Sequence, residues 1–225
     1  MNTLTAPVAR QISPENKFIT LPRIPSACTS VMNRVSDLYW EKRFNIHTSG
    51  RREARQADAI HYEPLPYYAV FKVMDRLNLT ADDVLVDVGS GLGRAVCVAA
   101  SYPVRQVLGV ELEPDLNALG MANVARANLR RAPVRLRCQS AELFDYRAAT
   151  VLWVFNPFGP ATMRAVLARV RDSLEKHPRA LRIAYINATC GHVFAAQPWL
   201  ELEETWEMSA WSRVKTPVRF YRTQV

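Results

Sequence analysis

Residues 84–100 read VLVDVGSGLGRAVCVAA, from Val84 to Ala100, and the reading of this stretch decides the fold. An apolar run ends at an acid, Asp87, three alternate glycines follow, and a second apolar run begins. The pattern predicts a buried strand, a tight turn and a buried helix. Gly89, Gly91 and Gly93 each let backbone pass where a Cβ would block it, by positive φ or by admitting a ligand closely. Their spacing is G-x-G-x-G. The dinucleotide fingerprint G-x-G-x-x-G needs its third glycine at position 94, where this chain has Arg94. A helix N-terminus suits a phosphate, but a carboxylate at the end of the strand repels one. The turn therefore calls for a small ligand without phosphate, carrying hydroxyls or a positive group.

A second apolar run, Val107 to Val110, ends in Glu111, which lies 18 residues beyond Gly93. An acid about 20 residues after such a turn is the usual partner of ribose hydroxyls, so one site can hold both acids.

The segments VDVGSGLG and GVELEP together resemble the cofactor-binding half of class I S-adenosylmethionine-dependent methyltransferases. The resemblance implies S-adenosylmethionine as cofactor, with Gly89, Ser90, Gly91 and Gly93 against its sugar and amino-acid part. It also implies Asp87 near the ammonium end and Glu111 on the ribose. The third strand, Val134 to Cys138, is followed by Gln139-Ser140-Ala141-Glu142 where that family commonly has Gly-Asp-Ala against the adenine. Ser140 stands in place of the aspartate, which leaves the Ser140 hydroxyl, the Ala141 N–H and Glu142 as the candidates. Upstream, HYEPLPYY (residues 61–68) leads into a helix with Val70, Phe71, Met74 and Leu77 on one face. In such enzymes this region lies over the methionine end, which makes Tyr62, Tyr67 and Glu63 candidates for it; the alternative for each tyrosine is simple packing at the domain edge.

The fourth strand, Val151 to Phe155, ends in Asn156-Pro157-Phe158-Gly159, and Pro160 opens a helix striped by Met163, Val166, Leu167, Val170 and Leu174. Strand C-termini border the ligand crevice of an open α/β sheet, which brings Asn156 towards the reacting centre. The segment partly matches the Asn-Pro-Pro-aromatic motif of amino methyltransferases, where the Asn oxygen and a proline carbonyl accept hydrogen bonds from the target nitrogen. Residues 84 to about 175 are also similar to the non-SET histone lysine methyltransferases. These likenesses make Asn156 the candidate catalytic residue; the competing reading is a turn residue capping the Pro160 helix. For Phe158, packing is the first reading.

With 225 residues and 49% hydrophobic composition, the chain can bury a full core. It is expected to be an α/β protein. The resemblance implies a Rossmann-like, mostly parallel seven-stranded sheet with helices on both faces, a C-terminal antiparallel hairpin (Trp199–Met208 with Thr216–Thr223) and an N-terminal helical extension. Residues 1–60 are expected to form the arm and helix, which could contribute to a lid, and 61–225 the methyltransferase domain. Residues 1 to about 28 read as a loosely docked arm, rather than a targeting segment. From Thr29 or Ser30 to about Arg43, Val31, Val35, Leu38 and Tyr39 repeat at helical spacing and predict a helix lying across the core. Helices are further expected from Pro114 to about Leu129 and from Pro160, and a fifth strand over Leu181 to Asn187.

The net charge of +8 comes from 24 Arg and 5 Lys against 21 acids, spread along the chain with small clusters at 51–55 and 130–137. No block dominates, which argues against nucleic acid as a partner and leaves an acidic protein open. No apolar run reaches the roughly 18 residues of a membrane span. Cys28, Cys97, Cys138 and Cys190 show no metal or disulfide spacing and are expected as buried thiols in a reducing, cytoplasmic setting; no metal site is expected. Two rival classes are a dinucleotide-dependent oxidoreductase, opposed by Arg94 and Asp87, and a non-catalytic basic binding module, opposed by the intact acids and glycine turn. The methyl acceptor, N or O, small molecule or protein lysine, has no diagnostic motif.

Overall fold

The computed structural model describes residues 26–53, 58–211 and 214–224. Seven strands form one sheet: β1 (Val84–Val88), β2 (Gln106–Glu111), β3 (Val134–Cys138), β4 (Val151–Phe155), β5 (Arg182–Ile186), β6 (Leu200–Trp211) and β7 (Val214–Thr223). Their order is β3-β2-β1-β4-β5-β7-β6. The first five pair in parallel, while β7 runs antiparallel to both β5 and β6. The seven strands and terminal hairpin match the fold expected from the sequence.

Central strands β1 and β4 are apolar at every position but Asp87, because both faces are covered. Leu85, Trp153, Ala184 and Ile186 face one core, whereas Val86, Val88, Leu152, Val154, Ile183 and Tyr185 face the other. The first core receives helices α1 (Ser26–Phe44), α2 (Tyr67–Arg76), α3 (Arg94–Ala99) and, through Val124, α4 (Pro114–Arg126). The second is closed by α5 (Pro160–Lys176) and α6 (Gly191–Ala195). Met163, Val166, Leu167 and Val170 bury the α5 stripe as its spacing predicts, with Leu174 half-buried at its end.

Helix α1 departs from expectation. Val35, Leu38 and Tyr39 are 61%, 69% and 59% exposed. The docked face instead carries Trp40 and Phe44, whose rings pack with Tyr67 and Phe71. The stripe and the aromatic pair both recur at helical spacing, and only tertiary packing decided between them. Helix α4 stops at Arg126, three residues early, because Ala127 turns extended and Leu129 adopts φ +62°. The hairpin strands run further than predicted, to Trp211 and from Val214, with irregularities at Leu202/Glu204 and Met208/Trp211. Among the cysteines, Cys97 and Cys190 are buried as expected, but Cys138, at the end of the edge strand, is exposed. The arm before residue 26 lies outside the described residues.

Below the site, buried Asp83 ties three strands together. Its carboxylate accepts from Thr80 N (2.7 Å) and Oγ1 (3.0 Å), from Thr150 Oγ1 (2.8 Å) and from Arg182 Nη2 (2.6 Å). Burial opposes its charge, but the Arg182 and threonine hydrogen bonds outweigh that and hold its pKa below the usual carboxylate value. A carboxylate with a depressed folded pKa adds stability above its unfolded pKa and loses it as pH falls through the folded one. Asp83→Asn is therefore expected to lower stability at neutral pH by about 2 kcal/mol. Urea unfolding curves of variant and wild type should converge as pH falls below the ordinary carboxylate range.

Candidate functional site

The C-terminal ends of β1, β2, β4 and β5 border a cleft of about 630 Å³. Its floor is the turn after β1. Gly89 N and Ser90 N both donate to the Val110 carbonyl (2.9 and 3.0 Å), and Gly91 N donates to Glu111 Oε2 (2.7 Å). Glu111 Oε1 takes the N–H of Glu113 (2.9 Å). A side-chain carboxylate thus occupies a turn N–H that a pyrophosphate would use, which disfavours dinucleotide binding. Each carboxylate oxygen keeps a second lone pair, so Glu111 can still accept from two ligand hydroxyls.

Asp87 lines the same cleft, 4% exposed, with no hydrogen bond to its carboxyl among the described residues. Burial first, and the neighbouring Glu111 second, push its pKa well above the ordinary carboxylate value. Burial also raises that of Glu111, against the backbone N–H groups that favour its charge. Two buried acids side by side make a site that gains from a cation. Buried Ser90 Oγ, also in the lining, has no hydrogen-bond partner among the described residues. An unpartnered buried hydroxyl is rare in a finished interior and fits a polar ligand on the turn.

The glycines divide by role. Gly91 has φ +52°, and a Cβ there would lie 2.5 Å from the Tyr62 ring. Gly89 has φ +80°, and a Cβ would overlap Pro157. Gly93 does not reach the cleft; at φ +82° it precedes α3 and backs onto Gly120 of α4, so its role is packing. Other sequence candidates also move. Tyr62 lines the cleft with its ring on Gly91, but its hydroxyl donates to the Thr48 carbonyl (2.6 Å) instead of a ligand. Tyr67 is fully buried in the core and takes no part in the lining. Glu63 lines the cleft and faces His61 at 3.5 Å. At the β3 end, Ser140 and Ala141 line the cleft, whereas Glu142 lies outside it. Glu142 is held by Ser140, whose Oγ accepts its N–H (3.3 Å) and donates to its Oε2 (3.2 Å) as the cap of a single 3-10 turn.

Asn156 lines the cleft at φ +37°, left-handed backbone that asparagine tolerates better than most residues. Its Oδ1 accepts from Thr189 Oγ1 (2.7 Å) and Tyr185 OH (3.2 Å). Tyr185 in turn accepts from Cys190 N (2.9 Å), so its proton points to Asn156; burial pushes that phenol up to about 12. The Pro157 carbonyl accepts from Ile60 N (3.0 Å). Of the two oxygens on which the amino-methyltransferase motif relies, Asn156 Oδ1 is therefore filled, while the Pro157 carbonyl keeps one lone pair. The turn also does not cap its own helix: Asp58 Oδ2 accepts from Thr162 N (3.1 Å), and the Asp58 carbonyl from Gly159 N (2.9 Å). Neither Asp58 nor Tyr185 carried a sequence signal, since both act across the fold.

Arg94, in the position of the absent third glycine, is buried. It donates to Thr48 Oγ1 (2.8 Å), the Leu65 carbonyl (2.9 Å), Asp37 (3.0 Å), Glu41 (3.2 Å) and Ser49 Oγ (3.2 Å), and lies 4.3 Å from the Tyr67 ring centroid. Among the described residues, no group of three His, Cys, Asp or Glu is arranged to hold a metal.

This sheet order, with two acids at the first two parallel strand ends and an antiparallel C-terminal hairpin, is the class I methyltransferase fold. The family described as Histone methylation protein DOT1 matches residues 54–133, the part that carries the turn and both acids. No curated protein matches the chain significantly. Among solved structures, an RNA methyltransferase from Salinibacter ruber in complex with S-adenosyl-L-homocysteine is similar at TM-score 0.53 and 23% identity, over 71% of this chain and 92% of that one. The N-methyltransferase NodS from Bradyrhizobium japonicum WM9 is similar at TM-score 0.53 and 10% identity, over 71% and 94%. A SAM-dependent methyltransferase from Methanosarcina mazei aligns at TM-score 0.51 and 11% identity, over 68% and 97%.

Replacing Arg94 with Met leaves Asp37 and Glu41 without their cation. Removing one partner of a buried ion pair costs on the order of 3 kcal/mol. The expected results are a lower melting temperature and faster proteolysis within residues 45–53, read by mass spectrometry of the fragments.

Proposed function

We propose that the chain is an S-adenosylmethionine-dependent methyltransferase acting on an amine, either a protein lysine or a small molecule. The observation that carries the cofactor is the Glu111 carboxylate seated on Gly91 N–H beside the unpaired acid Asp87. Such a seat takes ribose hydroxyls on Glu111 and a cationic amino-acid end near Asp87. It refuses pyrophosphate. Ser140 and Ala141 border the adenine end, and Tyr62 closes the turn from above. When bound, S-adenosylmethionine supplies an electrophilic methyl on a sulfonium that leaves as a neutral thioether. The acceptor nitrogen attacks with its lone pair, the S–CH3 bonding pair goes to sulfur, and the methylated nitrogen returns its proton to water. Holding the nucleophile in line supplies much of the acceleration.

The lining charge favours a basic acceptor. Glu53, Asp58, Glu63, Asp87, Glu111 and Glu113 line the cleft. Arg94, the single lining arginine among the described residues, is already committed to Asp37 and Glu41. The DOT1-family match supports a protein lysine within this amine class. O-methylation is the second reading, because the Asn156 Nδ2 makes no hydrogen bond among the described residues and offers a donor to an oxygen. A cytoplasmic location is proposed from the unpaired Cys97, Cys138 and Cys190. An acidic protein partner is proposed from the net charge alone.

The test is thermal shift with S-adenosylhomocysteine against NADH and NADPH. Ligand at about 100 times its Kd should stabilise the protein by about 2.7 kcal/mol; stabilisation by a dinucleotide alone refutes the assignment. A second outcome follows from the raised Asp87 pKa. A cationic ligand binds the ionised acid, so affinity should fall as pH drops below that pKa and rise as pH increases through it. In Asp87→Asn, calorimetric titration is expected to show weaker binding with this pH dependence lost.

A further inference from the structure

Asn156 is not the only asparagine at the cleft. Strands β4 and β5 are parallel, with Phe155 opposite Ile186. The residues that follow, Asn156 and Asn187, therefore leave the sheet side by side. Both take left-handed backbone, at φ +37° and +52°, and both line the cleft. Their carboxamides differ. A carboxamide oxygen has two lone pairs, and those of Asn156 are filled by Thr189 and by Tyr185, whose own oxygen accepts from Cys190 N. The Pro157 carbonyl already holds the N–H of Ile60. The half-buried Asn187 side chain makes no hydrogen bond among the described residues, leaving both its oxygen and its NH2 available.

We infer that Asn187, rather than Asn156, receives the methyl acceptor: its Oδ1 takes an N–H of the incoming amine, while Asn156 is a positioning residue that fixes the two strand ends. The inference rests on the amine reading above. An amine turning its lone pair towards the methyl must point its N–H bonds away from it, at an acceptor on the cleft wall. Of the two neighbouring carboxamide oxygens, Asn187 has the unfilled one. Threonine and tyrosine donors on Asn156 keep its amide from rotating, so it cannot exchange roles with Asn187 without breaking two hydrogen bonds.

The test needs no knowledge of the acceptor. Sinefungin replaces the sulfonium S–CH3 with C–NH3+, placing an ammonium at the reacting position, while S-adenosylhomocysteine has nothing there. The ratio of their Kd values, measured by calorimetry, reports the acceptor for an N–H at that point. Wild type is expected to prefer sinefungin. Asn187→Gly keeps the left-handed backbone and loses only the side chain. It should cost sinefungin about tenfold, the loss of one charge-assisted hydrogen bond, with S-adenosylhomocysteine affinity changed less than about twofold. Asn187→Asp should raise the preference above wild type, which a purely structural role would not do. An unchanged ratio in Asn187→Gly, or no preference in wild type, overturns the inference while leaving the cofactor assignment standing. Failure of wild type to bind either ligand overturns both.

Discussion

The Arg94 guanidinium holds the working half of this molecule together. A buried cation is tolerable only when its donors are satisfied and its charge balanced, and Arg94 reaches three other segments to achieve that. Asp37 and Glu41 come from α1, Thr48 and Ser49 from the chain that follows it, the Leu65 carbonyl from the approach to α2, and the arginine itself opens α3 beside the glycine turn. Glu41 concentrates the effect, since one oxygen also accepts from Thr48 N, Thr48 Oγ1 and Ser49 Oγ. These donors hold the Glu41 pKa below its ordinary value although burial pushes the other way. The helix before the sheet and the turn on the sheet are thereby one charged assembly.

From that assembly the chain crosses to the acceptor side in short, bonded steps. Tyr62 bonds to Thr48, pairs through its backbone with Arg52 (2.8 and 3.0 Å) and lays its ring on Gly91. Two residues before it, Ile60 joins the Pro157 carbonyl, and Asp58 caps α5. Gly89 touches Pro157 directly. The absence of a Cβ at Gly89 and Gly91 therefore serves contacts within the protein: it lets Pro157 and Tyr62 close on the turn from two sides. A displacement at either contact is passed to both ends of the cleft, because the packed pieces have no slack to absorb it.

Much of this was legible in the chain because it depends on local pattern. Five parallel strands, the turn, both acids and the α5 stripe follow from apolar period and punctuation, which act over a few residues. What escaped depends on distant partners. Val35 and Leu38 form a plausible stripe, yet Trp40 and Phe44 win the docked face because Tyr67 and Phe71 wait for them, and no spacing encodes that. Glu142 looked equal to Ser140 until the 3-10 turn directed it away from the cleft. Asn156 was found, but its oxygen is spent on Tyr185 and Thr189, 29 and 33 residues downstream. Arg94 was read only as a missing glycine, and its five partners lie 29 to 57 residues upstream.

Charge placement gives the chain a polarity that its net value conceals. The sequence carries an excess of eight positive charges, yet the cleft collects acids, and the one arginine that lines it among the described residues is committed elsewhere. A basic exterior repels a cationic ligand at long range, but salt screens that over about 8 Å at physiological ionic strength. Inside the cleft the screening is weak, and Asp87 and Glu111, each pushed towards its neutral form by burial and the former also by the latter, gain most from a positive group. Ionising both acids is therefore costly, and a cation relieves that cost. Selectivity follows from that cost: a neutral ligand of the same shape fills the cleft and satisfies Ser90, but leaves the repulsion between the two acids in place.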